Sequence, residues 1–342
     1  MMKAKILVTG GAGYIGSHTV VELVNNGFEP IIVDDFRNSD RGVLNGLKEI
    51  TGQDIQVLSV DICDKKALFE ALEDVNALGV IHFAAYKAVG ESVQNPLKYY
   101  ENNIGGLVNM LAWSREKKIN NFIFSSSCTV YGEPKNVKEV SEEMATGIAN
   151  SPYGETKVIG ETILRDFKKS GEDMNIVALR YFNPIGAHPS SFLGELPLGK
   201  PNNLLPYITQ TAIGIHHELT VFGNDYDTID GTCVRDYIHV VDLAIAHVKA
   251  LQFLTKYSSS TVEFVNVGTG KGTSVLEMIQ LFEKVSNQQL GWKFGPRRDG
   301  DVTEIYANPL KANNLLGWIP KYSVEDAVLH AWNWEQKLRK NE

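Results

Sequence analysis

Short apolar runs alternate with segments of helical periodicity through the first half of the chain. The apolar runs predict buried strands over residues 5–9, 30–35, 55–62, 79–85, 121–125 and 175–181. The periodic segments predict helices over residues 14–26, 65–75, 99–118 and 153–169. Strands that are apolar on both faces and alternate with helices are typical of a parallel sheet covered on both sides. The pattern therefore predicts an α/β, doubly wound fold.

The pattern changes near Pro184. Residues 184–232 are rich in proline, glycine and asparagine, and mixed helix and strand signals resume over residues 234–285. We expect two domains, residues 1–183 and residues 184–342, with the ligand cleft between them, although some later segments can return to the first domain. A length of 342 residues agrees with about two domains.

Composition narrows the possible classes of function. The chain is 43% hydrophobic and 22% charged, which is typical of a soluble globular enzyme. A net charge of −8 argues against a nucleic-acid binder, and no apolar run approaches the ~18 residues of a membrane span. The three cysteines are widely spaced and the eight histidines lack metal-site spacings, so we expect neither disulfides nor a metal site. The apolar N-terminal run is too short for a signal peptide, and we expect a cytoplasmic protein.

A glycine-rich string lies between the first predicted strand and the first predicted helix. Gly10 permits a tight turn, Gly13 lets the backbone approach a pyrophosphate, and Gly16 packs the helix against the strand. The helix N-terminus supplies N–H groups for the phosphates. Asp34 follows Gly13 by 21 residues, at the end of the second predicted strand, where an acid binds the adenosine ribose. This combination predicts a Rossmann domain, whereas a plain turn with acidic strand ends is the alternative.

Asp34 also bears on the choice of cofactor. Its carboxylate would repel a 2′-phosphate, which favours NAD over NADP, although Arg37 nearby could serve such a phosphate. Asn38 and Ser39, in the same loop, are further candidate NAD contacts. At the end of the third predicted strand, Asp61 and Ile62 could reach the adenine.

Tyr153 and Lys157 are four residues apart on a predicted helix, so they share one face. Tyr131 and Lys135 have the same spacing, but Pro134 between them excludes a helix. Oxidation of a hydroxyl needs a base for its proton, and the pKa of free tyrosine, about 10, is too high. A nearby Lys⁺ and a nicotinamide cation would lower it. Ser127, after the fifth predicted strand, is expected to relay the proton, although hydrogen bonding at the strand end is the alternative for such serines.

Long strings across nearly the whole chain resemble the extended short-chain dehydrogenase/reductases and, more narrowly, the UDP-galactose/UDP-glucose 4-epimerase family. These strings are GGAGYIGSH, HFAAYKAVGESV, NFIFSSSCTVYG, SPYGETK, LRYFNPIGAHPS, PNNLLPYI, VFGNDYDTIDGT, VRDYIHVVDLA and PRRDGD. The resemblance implies reversible C4 epimerisation of UDP-galactose and UDP-glucose through a 4-keto intermediate, with tightly bound NAD. It also implies a homodimer, for which the helices over residues 99–118 and 153–169 are the candidates.

The same resemblance implies two sets of ligand contacts. For NAD, beyond the residues above, the set is Tyr14, Ile15, Phe83, Ala84, Ala85, Lys87, Asn102 and Phe182. For the UDP-sugar, beyond Ser127 and Tyr153, the set is Asn183, Asn203, Leu204, Phe222, Arg235, Arg298 and Asp301. Arginine suits a diphosphate because it can bond bidentately. An aspartate can accept from a ribose and a phenylalanine can flank uracil, whereas turn formation explains the two asparagines equally well.

The resemblance also implies that Ile305 lies at one wall of the sugar pocket, where family members restricted to plain hexoses carry tyrosine. Its smaller side chain would leave room for an N-acetyl group, but it can also be a buried strand residue, and a one-residue slip would put Tyr306 there instead.

Two rival functions are a nucleotide-sugar 4,6-dehydratase and a non-catalytic NAD sensor. A dehydratase needs an acid pair after its active-site serine or threonine, whereas here Cys128 and Thr129 follow Ser127.

Overall fold

The computed structural model describes residues 3–134, 137–257, 262–298 and 300–340. The strands, in chain order, are β1 (Lys5–Thr9), β2 (Glu29–Val33), β3 (Gln56–Leu58), β4 (Gly79–His82), β5 (Asn121–Ser127), β6 (Glu139–Val140), β7 (Asn175–Tyr181), β8 (Asn183–Ile185), β9 (Leu219–Phe222), β10 (Val234–Arg235), β11 (Tyr237–His239), β12 (Val262–Val267), β13 (Thr273–Ser274), β14 (Trp292–Gly295) and β15 (Glu304–Ala307). The helices are α1 (Tyr14–Asn25), α2 (Val43–Thr51), α3 (Lys65–Ala71), α4 (Val89–Gln94), α5 (Pro96–Tyr99), α6 (Gly105–Glu116), α7 (Pro152–Lys169), α8 (Leu204–Ala212), α9 (Val240–Lys256), α10 (Val275–Ser286), α11 (Leu310–Leu316) and α12 (Val324–Lys340).

The main sheet has seven strands in the order β12-β7-β5-β4-β1-β2-β3, and every neighbouring pair is parallel. Alternation along β1 shows how its two faces are used, because Ile6 and Val8 pack into one apolar cluster while Leu7 packs into the other. The predicted doubly wound α/β fold is therefore confirmed. From β1 the chain order runs outward in both directions, through β2 and β3 on one side and through β4, β5 and β7 on the other. Ligands of such sheets bind at the carboxyl ends of the strands beside this switch point.

Two predicted elements differ most from the structure, and others end earlier than expected, such as the strand over 79–85, which ends at His82, and the helix over 65–75, which ends at Ala71. The third strand was expected over residues 55–62, but the ladder covers only Gln56–Leu58. The expected helix over residues 99–118 is interrupted by a π-helical turn, Tyr100–Ile104, before α6 begins. At this turn the Asn103 side chain forms two hydrogen bonds with the backbone of residue 86. Hydrophobic periodicity does not predict a tertiary contact of this kind, and π-helical turns are often found at functional sites.

The second half of the chain contributes to both regions of the molecule. Helix α9 packs on α1, and β12 forms the edge of the main sheet beside β7, so residues 240–256 and 262–267 lie with the first region. These are later segments of the kind expected to return to the first domain. Residues 184–232, which showed few periodic signals, nevertheless contain α8 and β9.

Among the described residues, three smaller sheets lie beside the main one, with the orders β13-β10-β15-β6, β11-β8 and β14-β9. A separate apolar cluster joins α8, α10 and α12 beneath them. β8 begins two residues after β7 ends, so the sheet that it forms with β11 starts at the carboxyl end of the main sheet. The four-stranded sheet includes β6, which follows β5 along the chain. The crevice expected for ligands is therefore lined from both sides.

Candidate active site

The glycine-rich turn is packed so closely that side chains are excluded from it. Gly10 has a φ of +67°, and a Cβ there would lie 2.7 Å from the backbone N of Ala84. A Cβ on Gly16 would lie 2.2 Å from the Gly10 carbonyl oxygen. Helix α1 begins at Tyr14, after Gly13, with no side-chain cap and no acidic residue in its first turn. Its first N–H groups and its positive dipole end are thus suited to a pyrophosphate.

Asp34 ties the end of β2 to this turn. Its carboxylate accepts hydrogen bonds from the backbone N–H of Ala12 at 3.0 Å and of Phe36 at 2.9 Å, and from the Ser39 hydroxyl at 3.0 Å. Phe36 has a φ of +61°, which bends the loop back toward the carboxylate. Burial raises the pKa of Asp34. Ser39 is therefore brought to Asp34, whereas Asn38 lies exposed on the loop.

Arg37 is held by two other carboxylates. Its guanidinium pairs with both Asp35 and Asp61. Burial raises the pKa of Asp61, but hydrogen bonds from the backbone N–H of Cys63 and from Arg37 outweigh burial, so that this pKa is lowered. A guanidinium already paired with two acids is poorly suited to a 2′-phosphate. Ile62, 5% exposed, belongs to the apolar cluster under α6.

The loop after β4 forms the next wall of the crevice. The Ala84 N–H lies 3.4 Å from the Thr9 hydroxyl, and the Phe83 ring lies 4.6 Å from the ring of His247. At the π-helical turn, Asn102 donates to the Asn103 side chain at 2.9 Å. Since that side chain also bonds the backbone of residue 86, it brings the loop that carries Ala85 and Lys87 against Asn102.

The predicted catalytic side chains meet where α7 passes the end of β5. Ser151 caps α7 by accepting from the Gly154 N–H at 3.2 Å, and Tyr153 and Lys157 lie on the covered face. The Lys157 ammonium donates to the Ser125 carbonyl oxygen at 2.7 Å and lies 5.8 Å from the centre of the Tyr153 ring. Tyr153 is 9% exposed, Lys157 4% and Ser127 6%. The site is thus almost fully desolvated.

Desolvation dominates the electrostatics of these groups. Burial raises the pKa of Tyr153 far above its ordinary value, and an interaction with Ser127 opposes this only in part. Burial also lowers the pKa of Lys157 to about 8. Desolvation of the phenolate is therefore the largest effect within the polypeptide, and the lowering of the tyrosine pKa by Lys157 together with a nicotinamide cation stays a prediction.

Four predicted UDP-sugar residues form one cluster in the second region. The Asp301 carboxylate accepts from Arg298 at 2.9 Å and lies 3.9 Å from the Arg235 guanidinium. The Arg298 guanidinium also lies 5.5 Å from the centre of the Phe222 ring, which is 43% exposed. Asp301 thus forms ion pairs with both arginines, a part that its sequence position did not indicate.

Glu195 joins the two sides of the crevice and was missed from the sequence. Its carboxylate accepts from Lys87 at 3.1 Å and from the Asn203 side chain at 2.5 Å. Asn203 precedes α8, whose first residue is Leu204. The backbone N–H of Asn183 donates to the backbone carbonyl oxygen of Asp236 at 3.0 Å. No local sequence motif predicts the part of Glu195, because its partner Lys87 lies 108 residues away in the chain.

Ile305 lies in a buried strand beside the arginine cluster. It is 4% exposed, and its partner across the β10–β15 pair is Arg235. It packs in one apolar cluster with Phe182, Tyr131 and Val130. Ile305 is therefore a buried strand residue close to the site, and its part in sugar selection stays a prediction.

Two classes of feature are absent from the described part of the chain. Residues 3–134, 137–257, 262–298 and 300–340 contain no group of three or more His, Cys, Asp or Glu side chains arranged to hold a metal ion. Among the same residues, no helix has the length and apolarity needed to cross a membrane.

A seven-stranded Rossmann sheet, a glycine turn bonded to an acid at the end of β2, and a Tyr153–Lys157 pair beside Ser127 define a short-chain dehydrogenase/reductase. The family model described as GDP-mannose 4,6 dehydratase matches residues 7–330. UDP-glucose 4-epimerase of Bacillus subtilis is 48% identical and that of Homo sapiens 46% identical, covering 96% and 98% of this chain and 96% and 97% of theirs. The chain belongs to the UDP-glucose 4-epimerase family.

Solved structures agree with this assignment. UDP-glucose 4-epimerase of Stenotrophomonas maltophila, with bound NAD and formylated UDP-arabinopyranose, matches with a TM-score of 0.95 at 43% identity. The enzyme of Bifidobacterium longum, in complex with NAD⁺ and UDP, matches with a TM-score of 0.95 at 42% identity. Both comparisons cover 99% of this chain and 100% of the other.

Proposed function

We propose that this protein interconverts UDP-galactose and UDP-glucose at C4, through a 4-keto intermediate and with tightly bound NAD, as an enzyme of galactose metabolism. The observation that carries the proposal is the convergence of Tyr153, Lys157 and Ser127 at the mouth of the dinucleotide crevice, in a chain so similar to known epimerases. Every relative named above carries this activity in its name.

The crevice fits NAD by its donors and by its lack of side chains. Gly10 and Gly16 let the turn and α1 pack more closely than a Cβ would allow, α1 presents its uncapped N-terminus, and Asp34 is proposed for the ribose position. When bound, NAD supplies the hydride acceptor and donor for the sugar C4. Because the same cofactor is used twice in one turnover, firm retention by these groups serves the reaction.

Tyr153 is the proposed base for the proton of the sugar 4-hydroxyl. Lys157, fixed by the Ser125 carbonyl, holds a positive charge near the phenol, and Ser127 bonds the reacting oxygen. Since the site excludes water, each charge placed there acts strongly on the others. The proton removed in the oxidation half returns from Tyr153 to the same oxygen in the reduction half.

The arginine cluster is the proposed anchor for the diphosphate, with Phe222 at the uracil. Epimerisation requires the keto sugar to present its other face, so the hexose must be held loosely and the UDP firmly. Asp301 keeps Arg235 and Arg298 oriented for this anchoring. Asn183, Asn203 and Leu204 are proposed to complete the UDP-sugar pocket.

A 4,6-dehydratase is the rival that the family model's description favours. Removal of water across C5 and C6 needs further acid and base groups beside the active-site serine. The 3₁₀ turn after Ser127 offers Cys128, Thr129 and a buried Val130, with no carboxylate. A non-catalytic NAD sensor is disfavoured as well, because it has no use for a buried Tyr–Lys–Ser set next to two oriented arginines.

We also propose a homodimer and a cytoplasmic location. Val93 on α4, Leu97 on α5 and Val108 on α6 are 61%, 69% and 46% exposed, and α6 belongs to one of the two candidate helical segments. Exposed apolar side chains on neighbouring elements suit an interface between copies. Three widely spaced cysteines, Cys63, Cys128 and Cys233, suit a reducing compartment, which supports the proposed location. Sedimentation equilibrium tests the dimer.

One incubation separates the three functions. Purified protein is given UDP-galactose without added reductant, and the products are resolved by chromatography. We expect UDP-glucose. A 4-keto-6-deoxy sugar nucleotide would identify a dehydratase, and unchanged UDP-galactose with NAD bound would favour a sensor.

A further inference from the structure

A fully buried ion pair lies behind the active site. The Arg180 guanidinium on β7 donates to both carboxylate oxygens of Glu161 on α7, at 2.8 and 2.7 Å. Arg180 is 2% exposed and Glu161 is not exposed at all. Such a pair is costly to desolvate, and replacement by apolar residues is often neutral or stabilising. Stability alone therefore does not account for placing it here.

The two partners of this pair hold the chain on either side of Ser127. The Ser126 hydroxyl donates to Glu161 at 2.7 Å. Tyr131, at the end of the 3₁₀ turn Cys128–Tyr131, accepts from Arg180 at 3.0 Å. Ser127 thus lies between two residues that are anchored to one ion pair.

Tyr131 is fixed further by the edge strand. Its hydroxyl donates to the Asn266 side-chain oxygen at 2.6 Å, and the Asn266 amide donates to the Val140 carbonyl at 2.9 Å. Burial raises the pKa of Tyr131 to about 12, so the hydroxyl stays protonated and can donate. Tyr131 shares the Tyr–x–x–x–Lys spacing with Lys135, which lies outside the described residues. Its 3₁₀ backbone places the phenol inward, at 4% exposure.

Glu161 carries the same anchoring to the other catalytic groups. Tyr153, Lys157 and Glu161 follow each other at intervals of four on α7, so they form one stripe along the helix. Lys157 bonds the Ser125 carbonyl while Glu161 bonds the Ser126 hydroxyl. Helix α7 and the end of β5 are therefore joined at consecutive residues.

We propose that Glu161, Arg180 and Tyr131 are positioning residues, which hold the Ser127 turn against α7 so that the hydroxyls of Ser127 and Tyr153 meet at the same substrate oxygen. This inference rests on the proposed epimerase function and deepens it. Reactions of this kind lose rate steeply when catalytic groups are displaced by a fraction of an ångström to an ångström.

Tyr131→Phe is the primary test, because it removes one oxygen and keeps the ring in its apolar cluster. We expect kcat for UDP-galactose to fall by up to about 100-fold, because a displacement of about 1 Å can cost that much. The KM should change less than about twofold, because UDP is anchored elsewhere, and bound NAD per chain should be unchanged. Ser126→Ala, which deletes the other anchor, should give the same split between kcat and KM.

Arg165→Met is the matched control. Arg165 also bonds Glu161, at 3.2 Å, but from the partly exposed surface, and it contacts neither Ser126 nor Tyr131 in the hydrogen bonds described. Its kcat should equal that of the parent. All rates are measured well below each variant's unfolding temperature, and Ser126→Ala decides the question if Tyr131→Phe does not fold.

The outcomes separate this inference from the function on which it rests. Parent protein without epimerase activity, or a fully active Ser127→Ala variant, contradicts the proposed function or its assignment of Ser127. An active parent with an impaired Ser127→Ala variant, but full kcat in Tyr131→Phe and Ser126→Ala, overturns the positioning network. So does a fall in kcat that merely follows loss of NAD or of folded protein.

Discussion

A methyl group on Gly16 tests how closely the dinucleotide turn is built. In Gly16→Ala, the new Cβ would lie 2.2 Å from the Gly10 carbonyl oxygen and 2.8 Å from the Gly11 Cα. Nonbonded neighbours of a Cβ are rarely closer than 3.0 Å, so oxygen and methyl must separate by about 0.8 Å. Both contacts are backbone atoms, and Gly10 is itself packed against Ala84, so the whole turn must move.

The magnitude follows from two opposing effects. Alanine in place of a helical glycine stabilises by about 1 kcal/mol, whereas overpacking costs about 1–3 kcal/mol when neighbours cannot yield. We expect a net loss of up to about 2 kcal/mol in the free energy of unfolding. The effect on NAD should be larger, because the displaced turn is the proposed pyrophosphate site.

The assay is the amount of NAD(H) released per chain on denaturation, together with urea unfolding. Gly105→Ala is the matched control, because Gly105 begins α6 with a helical φ of −58° and a Cβ there would meet nothing within 4 Å. It should keep its NAD and be neutral or slightly more stable. Gly16→Ala protein that carries as much NAD as the parent would refute the reasoning from close packing.

Four further predictions follow from the site and the core. Tyr153→Phe should keep NAD but lose most epimerase activity, measured with UDP-galactose, since it retains the ring and lacks the proton-accepting oxygen; full activity would exclude Tyr153 as the base. The parent should release NAD(H) rather than NADP(H) on denaturation, and mostly NADP would contradict the part given to Asp34. Ile305→Tyr should reduce turnover of UDP-N-acetylgalactosamine while sparing UDP-galactose, and equal loss on both would exclude a gate at this wall. Burial lowers the pKa of His247 to about 4, so the folded state stays unprotonated while the unfolded state binds a proton below about 6.5, and stability is lost as pH falls through that window. At pH 5 the protonation of His247 in the unfolded state lowers the free energy of unfolding by about 2 kcal/mol, so urea unfolding of His247→Leu should show a smaller loss of stability between pH 7 and pH 5 than the parent does. A loss equal to that of the parent would contradict the part given to His247. His217→Gln, at an exposed position, is the control.

Local patterns determined the architecture of the first region. Apolar runs of strand length and the glycine turn report interactions between neighbours in the chain, and the seven-stranded parallel sheet agrees with them. The interruption of the helix at Tyr100–Ile104 was not predictable, because it depends on the bond between Asn103 and the loop at residue 86. The return of α9 and β12 to the main sheet likewise depends on which apolar faces remain uncovered after the chain has folded.

The same division holds at the site. Tyr153 and Lys157 could be found from the sequence, because residues four apart on a helix are neighbours in space. The parts of Glu195, Arg180 and Glu161 could not, since each acts through partners that are remote in the chain and are brought together only by the packed sheet. The sequence by itself determined which chemical groups are present and on which elements they lie. Only the tertiary structure decided how far they are desolvated and what holds them, because burial and long-range hydrogen bonds are properties of the folded chain.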